Sequence, residues 1–212
     1  MPMTTIAPPE QRVILENVSW ETYERLLAES IDSVGTRFTY DEGALEIMVV
    51  SIGHENPNRT LAQLVEIVAE ETDRDLHRAG STTFKRKDLA KGFEPDSCFY
   101  IGHAEQTRGK EELDLVTDPP PDLVIEVDIT RSSLNRFPIF AALGVAEVWR
   151  FDGARVTMYR LERGRYFETE TSLTLPPLTA SQSTVFLDES RREKSTVWVR
   201  HVREWVRSSK ST

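Results

Sequence analysis

The chain has 212 residues, a formal net charge of -9 and a sequence pI near 5.1. This acidic balance argues against a protein that holds nucleic acid by bulk electrostatics. A single cysteine excludes an intramolecular disulfide framework and a multi-cysteine zinc site. No apolar run reaches the roughly 18 residues that a membrane helix needs, so we expect a cytoplasmic protein that does not associate with membranes.

The first third of the chain predicts a helix, a β-hairpin and a second helix, after a flexible, proline-rich N-terminus at residues 1–12. Ser19 is the expected N-cap of the first helix. Asp41-Glu42-Gly43 is typical of a tight hairpin turn. The second helix carries apolar residues at i, i+3, i+4 and i+7, so it is amphipathic. In chain order these elements are a helix at 20–31, strands at 37–40 and 44–50, and a helix at 56–74.

The remainder of the chain predicts strands that alternate with short helices. Residues 102–121 are charged and end in prolines, so we expect a long loop, which is uncommon enough to indicate a functional edge. The predicted strands are 81–87, 94–101, 122–129, 146–151, 155–161 and 166–170, and the predicted helices are 137–143, 185–189 and 197–206. This order indicates a mixed α/β or α+β fold, in which helices pack on a mixed central sheet. We expect one domain over residues 13–212, with residues 178–212 as a C-terminal helical extension.

Three carboxylates share one face of the strand predicted at 122–129. Alternate side chains of a strand point to opposite faces, so Asp122, Glu126 and Asp128 lie together while the other face is wholly apolar. Neighbours on one face sit roughly 6–7 Å apart, close enough for like charges to raise one another's pKa unless water, a base or a metal ion compensates. The arrangement costs stability and therefore indicates a function.

Two acidic strand positions carry the strongest indication of chemistry. Asp96 follows Pro95 at the start of a predicted strand, and 30 positions separate it from Glu126, enough for an antiparallel pair with the long loop between them. Oxygen ligands from two strands, with a further acid from a nearby helix, suit Mg²⁺ or Mn²⁺. Such a site is typical of hydrolysis at phosphorus.

Three segments resemble the Uma-two family of restriction-endonuclease-like proteins, which belongs to the PD-(D/E)XK nuclease superfamily. The resemblance covers roughly residues 13–170. It implies a restriction-endonuclease-like core of helix, three strands, helix and strand, with a divalent metal at the strand ends. The segments that carry it are SIGHE, GSTTFKRKDLAKGFEPDSCFYI and PPPDLVIEVDITRSSLNRFPIFAALGVAEVWRFDG.

The resemblance assigns roles to single residues. It implies that Asp96 is the motif aspartate, Glu126 the acid of the third strand, and Glu55 a third metal-binding acid at the start of the first core helix. Asp128 departs from the pattern, because the superfamily places lysine there. Related sequences move that lysine onto the following helix, where this chain has Arg136. Arginine keeps the charge for transition-state stabilisation, but it cannot serve as a base at neutral pH.

Each assignment has a simpler structural alternative. Asp96 and Glu126 could lie on a solvated sheet face, and Arg136 could be an ordinary charge on a helix surface. Glu55 could equally be a first-turn acid favoured by the helix dipole. Asp128 could bind the metal or contact one of its ligands, or it could cap the turn that follows the strand.

Three basic residues are weaker candidates. His54 could act as a base or contact a metal ligand, although a lone histidine before a helix is usually a polar loop residue. The side chains of Lys85 and Lys87 lie on one face of a predicted strand and could contact phosphates. A solvated edge that discourages strand pairing is at least as good an interpretation of these lysines.

The leading hypothesis is a Mg²⁺- or Mn²⁺-dependent endonuclease that hydrolyses DNA phosphodiester bonds, with a homodimer as the expected assembly. Glu55, Asp96 and Glu126 would hold the metal, and Arg136 would lie near the scissile phosphate. The alternative is a catalytically impaired nuclease fold that acts as a binding or assembly module. A glycoside hydrolase with a carboxylate pair ranks last, because the chain lacks an aromatic sugar platform.

Overall fold

The computed structural model describes residues 11–30, 35–129 and 134–209. These residues confirm the predicted α/β class, with helices packed on sheets. In chain order they form β1 (Gln11–Leu15), α1 (Trp20–Glu29), β2 (Thr36–Asp41), β3 (Ala44–Val49), α2 (Ile52–Glu71), β4 (His77–Gly80), β5 (Phe84–Arg86), β6 (Lys91–Phe93), β7 (Ser97–Tyr100), α3 (Ala104–Thr107), β8 (Leu123–Val127), α4 (Phe137–Leu143), β9 (Glu147–Phe151), β10 (Val156–Glu162), β11 (Arg165–Thr169), α5 (Ala180–Ser190) and α6 (Ser195–Ser209).

The strands form two sheets, here called the hairpin sheet and the central sheet. The hairpin sheet has the order β1-β3-β2-β6-β5 and its pairs are antiparallel. The central sheet has the order β11-β10-β9-β8-β7-β4, and its β8–β9 pair is parallel while its other pairs are antiparallel. The parallel pair needs a crossover connection, which contains α4. The central sheet therefore has the expected succession of α2, three strands β4, β7 and β8, then α4 and β9.

Local signals account for the N-terminal helix and hairpin. The hydroxyl oxygen of Ser19 accepts a hydrogen bond of 3.2 Å from the backbone N–H of Thr22, so Ser19 is the N-cap of α1. Glu42 and Gly43 both have positive φ, 49° and 102°, as the two central residues of a type I′ hairpin turn do. The predicted cap and turn are both confirmed.

Several parts of the chain differ from the prediction, since α2 and α5 begin at Ile52 and Ala180 instead of residues 56 and 185, and β6 was not predicted. Residues 1–10 of the predicted flexible N-terminus lie outside the described residues, but Gln11 and Arg12 belong to β1, which pairs with β3. The proline-rich start obscured this short strand. The loop predicted at 102–121 contains the single helical turn α3, and β4 was not predicted because a strand of four residues has no clear alternation.

β8 is the most deeply buried strand at the centre of the fold. Leu123, Ile125 and Val127 pack into an apolar cluster with α2, α5 and α6. Val124 points to the opposite side and packs with Phe140 of α4 and residues of the hairpin sheet. The carboxylate-bearing face of β8 is therefore covered by α4 and the hairpin sheet instead of by water.

The C-terminal helix α6 is docked on α2. Trp198, Val202 and Val206 are buried along one stripe of α6. Arg203 and Arg207 donate to Glu70 and Glu71 of α2 at 2.9 and 2.8 Å. None of the helices in the described parts of the chain combines the length and apolar character that crossing a bilayer requires.

Candidate active site

Asp96 and Glu126 lie side by side in the central sheet. In the antiparallel β7–β8 pair Ser97 lies opposite Ile125, so the preceding Asp96 is beside Glu126. Only 4% of Asp96 and 6% of Glu126 is exposed to solvent. The alternative of a solvated sheet face is therefore wrong, and both acids need partners or a bound cation because a buried charge is costly alone.

Contacts from β8 and from the first turns of α2 hold Asp96. The carboxylate oxygen Oδ2 of Asp96 accepts a hydrogen bond of 2.8 Å from the backbone N–H of Val127, and His54 Nε2 lies 3.0 Å from the same oxygen. The Asn58 amide donates to the backbone carbonyl of Asp96 at 3.1 Å and accepts from the Ser97 hydroxyl at 2.8 Å. Asn58 was not predicted, because an asparagine inside a helix carries no distinctive sequence signal.

His54 points toward Asp96, whereas Glu55, which the sequence suggested as a metal ligand, points away from it. His54 is fully buried in the first turn of α2, so it is not a polar loop residue. Glu55 is rotated roughly 100° around the helix from its neighbour. Its carboxylate pairs with Arg59 at 2.6 Å and is about a third exposed. Across the described ranges, no group of three or more His, Cys, Asp or Glu side chains could hold a metal ion, so the predicted trio with Glu55 is not assembled.

Arg136 lies between two buried glutamates. Its Nη1 donates to Glu126 Oε2, and its Nη2 donates to Glu46 Oε1 at 2.9 Å. Arg136 is the residue immediately before α4, and its side chain is 10% exposed. The structure therefore places Arg136 beside Glu126 and not on a helix surface.

The contacts continue as a chain of alternating charges over β8. Arg12 Nη1 lies 3.3 Å from Glu46 Oε1, and Arg12 Nη2 lies 3.5 Å from Asp128 Oδ1. We call this series Glu126–Arg136–Glu46–Arg12–Asp128 the ion-pair chain. It starts and ends on the same face of β8 and passes through the hairpin sheet.

Sequence reasoning missed Glu46 and Arg12. Both belong to the hairpin sheet, and nothing local connects that sheet to the carboxylates of β8. One signal was available, because Glu46 lies two residues before the buried Met48, on the same face of a strand that is otherwise apolar. A glutamate at such a position requires a buried partner.

The three acids of the β8 face have separate partners. Asp128 accepts from Arg150 Nη2 at 2.5 Å in addition to its contact with Arg12. The carboxylate of Asp122 accepts from the backbone N–H groups of Ile101 and His103 at 2.7 and 3.0 Å, so it orders the start of the long loop. Protein donors thus hold Asp122 and Asp128, whereas Glu126 keeps one oxygen, Oε1, without a hydrogen-bond partner in the described residues.

A cavity of about 270 Å³ opens over this face of β8. Its wall combines two carboxylates, three guanidinium groups and an apolar side formed by α4 and its neighbours. Asp96 is not among the lining residues, but its carboxylate contacts the backbone N–H of Val127, which is. The lining residues are Arg12, Glu126, Val127, Asp128, Leu134, Asn135, Arg136, Phe137, Phe140, Val148 and Arg150.

Burial and a neighbouring charge shift the protonation of Glu126. Burial raises the pKa of Glu126 to about 7, and Asp96 adds to the rise while Arg136 opposes it. Burial by itself would lower the pKa of Arg136, but Glu126, Glu46 and Asp96 outweigh it and raise that pKa further. Arg136 therefore stays charged, whereas Glu126 changes charge near neutral pH.

The structure places Lys85 and Lys87 away from the cavity. Lys85 pairs with Glu24 at 3.0 Å and Lys87 with Glu21 at 3.3 Å, and both acids belong to α1. Neither lysine lines the cavity. These lysines fit the interpretation of a solvated edge better than that of phosphate contacts.

The donor set fits a hydrated divalent cation. Asp96 Oδ1 and Glu126 Oε1 are buried and have no hydrogen-bond partner in the described part of the chain. Mg²⁺ usually keeps several waters and takes only one or two protein carboxylates together with substrate phosphates. Two adjacent carboxylates, each with one oxygen to spare, meet that requirement without a third protein ligand.

Comparison with protein families gives one match. Residues 20–188 match the Uma2 family, whose description is "Putative restriction endonuclease". No curated protein matches the chain. Among solved structures, the chain is similar to a putative nuclease belonging to DUF820 from Anabaena variabilis ATCC 29413, with 15% identity, a TM-score of 0.48, and coverage of 71% of this chain and 90% of that one.

Proposed function

This chain belongs to the Uma2 family, and from that premise we propose that it is a divalent-metal-dependent endonuclease that hydrolyses DNA phosphodiester bonds. One observation carries the proposal: the buried Asp96–Glu126 pair, in which each carboxylate has one oxygen without a partner among residues 11–30, 35–129 and 134–209. These two oxygens could bind a metal cation, and a nuclease reaction would use one.

In this proposal Asp96 and Glu126 hold Mg²⁺ or Mn²⁺. The bound metal would lower the pKa of a water molecule and neutralise charge on the phosphodiester. His54 and the backbone N–H of Val127 fix the Asp96 carboxylate in one orientation. Arg136, held in its charged form, stabilises the negative charge that develops on the phosphate. It does not take up a proton from water, since a guanidinium is no base at neutral pH.

The family description supports DNA as the substrate, because restriction enzymes cut duplex DNA. Two copies of the cavity would be needed to cut both strands of a duplex in one encounter, so a cytoplasmic homodimer is the proposed assembly. Sedimentation equilibrium of the purified protein tests that assembly. A mass of 24.2 kDa, that of a single chain, would contradict it.

Calorimetric titration of Mn²⁺ tests the metal site. The wild-type protein should bind Mn²⁺, and the Asp96→Ala/Glu126→Ala double variant should show no binding, because both donor oxygens are removed. Glu55→Ala should bind within about twofold of wild type, since the Glu55 carboxylate contacts Arg59 on the outside of α2. Equal binding by the wild type and the double variant, or none by either, would remove the metal site.

The raised pKa of Glu126 predicts a pH-dependent stability. Between the ordinary pKa of 4.5 and the native value of about 7, the native state keeps a proton that the unfolded chain loses. The free energy of unfolding should therefore fall as the pH rises through this interval, by at most about 1.4 kcal/mol per pH unit for one proton. Urea unfolding without metal at pH 5, 6 and 7 measures the fall. In Glu126→Gln the fall should be smaller, and parallel curves for the two proteins would contradict the assignment.

A binding or assembly module remains the second candidate, and one observation favours it. Arg136 stands in the lysine position of related sequences and is held in two ion pairs. Arg136→Lys discriminates between the candidates. A gain of plasmid cleavage supports a nuclease with a weakened site, whereas no cleavage together with a stable partner complex supports the module.

A further inference from the structure

We infer that Glu46 is a positioning residue that holds one half of the Arg136 guanidinium and thereby keeps one oxygen of Glu126 open to a cation. This inference rests on the proposed metal site, since it states what preserves that site. It assigns a function to the hairpin sheet, which lies outside the central sheet that carries Asp96 and Glu126.

The geometry separates the two halves of the guanidinium. Nη1 of Arg136 donates to Glu126 Oε2, while Nη2 donates to Glu46 Oε1 at 2.9 Å. The second oxygen of Glu126, Oε1, is buried and has no hydrogen-bond partner in the described segments. Arg136 therefore contacts Glu126 with one nitrogen only.

An unconstrained arginine frequently contacts a carboxylate with two nitrogens, whereas Arg136 contacts Glu126 with one. Arginine and carboxylate pairs are frequently bidentate, with two parallel N–H···O bonds, because the planar guanidinium matches both carboxylate oxygens. If Nη2 were released from Glu46, it could close on Glu126 Oε1 and complete that arrangement. The oxygen offered to a metal would then be occupied by a cation of the protein itself.

The contacts of Glu46 oppose that closure. It is fully buried on β3, where it also pairs with Arg12 of the neighbouring strand β1 at 3.3 Å, so its carboxylate is fixed from two sides. It also accepts a 3.4 Å hydrogen bond from the backbone N–H of Leu134, two residues before Arg136. Glu46 thus orients both the side chain of Arg136 and the segment that carries it.

Mn²⁺ calorimetry on a double-mutant cycle tests the inference. Glu46→Gln should weaken Mn²⁺ binding by about tenfold in the wild-type background. The same substitution should change binding by less than about twofold in the Arg136→Met background, because no guanidinium is left to close on Glu126. Glu66→Gln, which removes a glutamate about one-third exposed from its pair with Arg78, serves as the matched control and should bind as wild type does.

Equal weakening by Glu46→Gln in both backgrounds would overturn the inference, since it would show a direct effect of charge on the metal. Unchanged affinity in the wild-type background would overturn it too. Glu46→Asp separates position from charge and is the safer variant for folding. The aspartate side chain keeps the negative charge but is one methylene shorter, so its carboxylate lies farther from Arg136. Weaker Mn²⁺ binding would support a positioning role for Glu46, and wild-type affinity would contradict that role. Wild-type protein that binds no Mn²⁺ would remove the proposed function and this inference together, whereas the other contrary results remove the inference alone.

Discussion

Supercoiled plasmid incubated with the wild-type protein and Mg²⁺ or Mn²⁺ should be converted to nicked and linear forms, and Asp96→Asn or Glu126→Gln should slow that conversion by at least about 10²-fold. Losing one preorganised electrostatic contact to a reacting group typically costs 10²–10³ in rate. Each substitution replaces a carboxylate with a neutral amide of nearly the same shape. The loss would therefore report charge and metal binding and not a change in packing.

The Asp96→Asn/Glu126→Gln double variant should lose little more activity than either single variant, because residues that act as one unit are strongly non-additive. Asp75→Asn and Glu66→Gln are matched controls from exposed ion pairs with Arg108 and Arg78, and both should cut at the wild-type rate. Cleavage that persists in the double variant would point to a contaminant or to another site.

Arg136→Met should lower the free energy of unfolding by about 3–5 kcal/mol at pH 8, the cost of breaking a buried ion pair by removing one partner. Glu126 and Glu46 would both lose the cation that they share, and both are buried. At pH 8 Glu126 is mostly ionised in the wild type, since its pKa is about 7, so the ion pair that the substitution breaks is formed at that pH. Urea denaturation followed by circular dichroism measures the loss.

Arg150→Met is the matched control for this stability loss. Arg150 also pairs with a carboxylate, Asp128, but its side chain is 41% exposed. A pair that water can reach contributes at most about 1 kcal/mol, so this variant should stay close to wild type. Equal losses in the two variants would show that the burial of Arg136 has no special effect on stability. Adding Glu126→Gln to Arg136→Met should restore part of the loss, because it removes the buried carboxylate that Arg136 neutralises, whereas Glu46 keeps its pair with Arg12.

Patterns within a few residues were sufficient to predict most of the helices and strands. The cap at Ser19, the turn at Glu42-Gly43 and the amphipathic period of α2 each act over one or two helical turns or a single hairpin. The apolar alternation of β8 likewise indicated a central strand. The central Asp96–Glu126 pair followed from these elements, since β7 and β8 were both predicted as strands.

The sequence by itself thus determined the fold class and pointed to the two strand acids, because short-range periodicity and motif spacing carry that information, while the resemblance to Uma-two sequences pointed to Arg136. Only the tertiary structure decided which charges meet. Glu46 and Arg12 lie 90 and 116 residues away from their partners Arg136 and Asp128. His54 and not Glu55 faces Asp96 because a helix turns by roughly 100° per residue, and packing sets which of two neighbours points inward. The carboxylates of β8 are compensated by arginines that no local pattern connects to them, and that long-range compensation is what makes a buried acidic site stable.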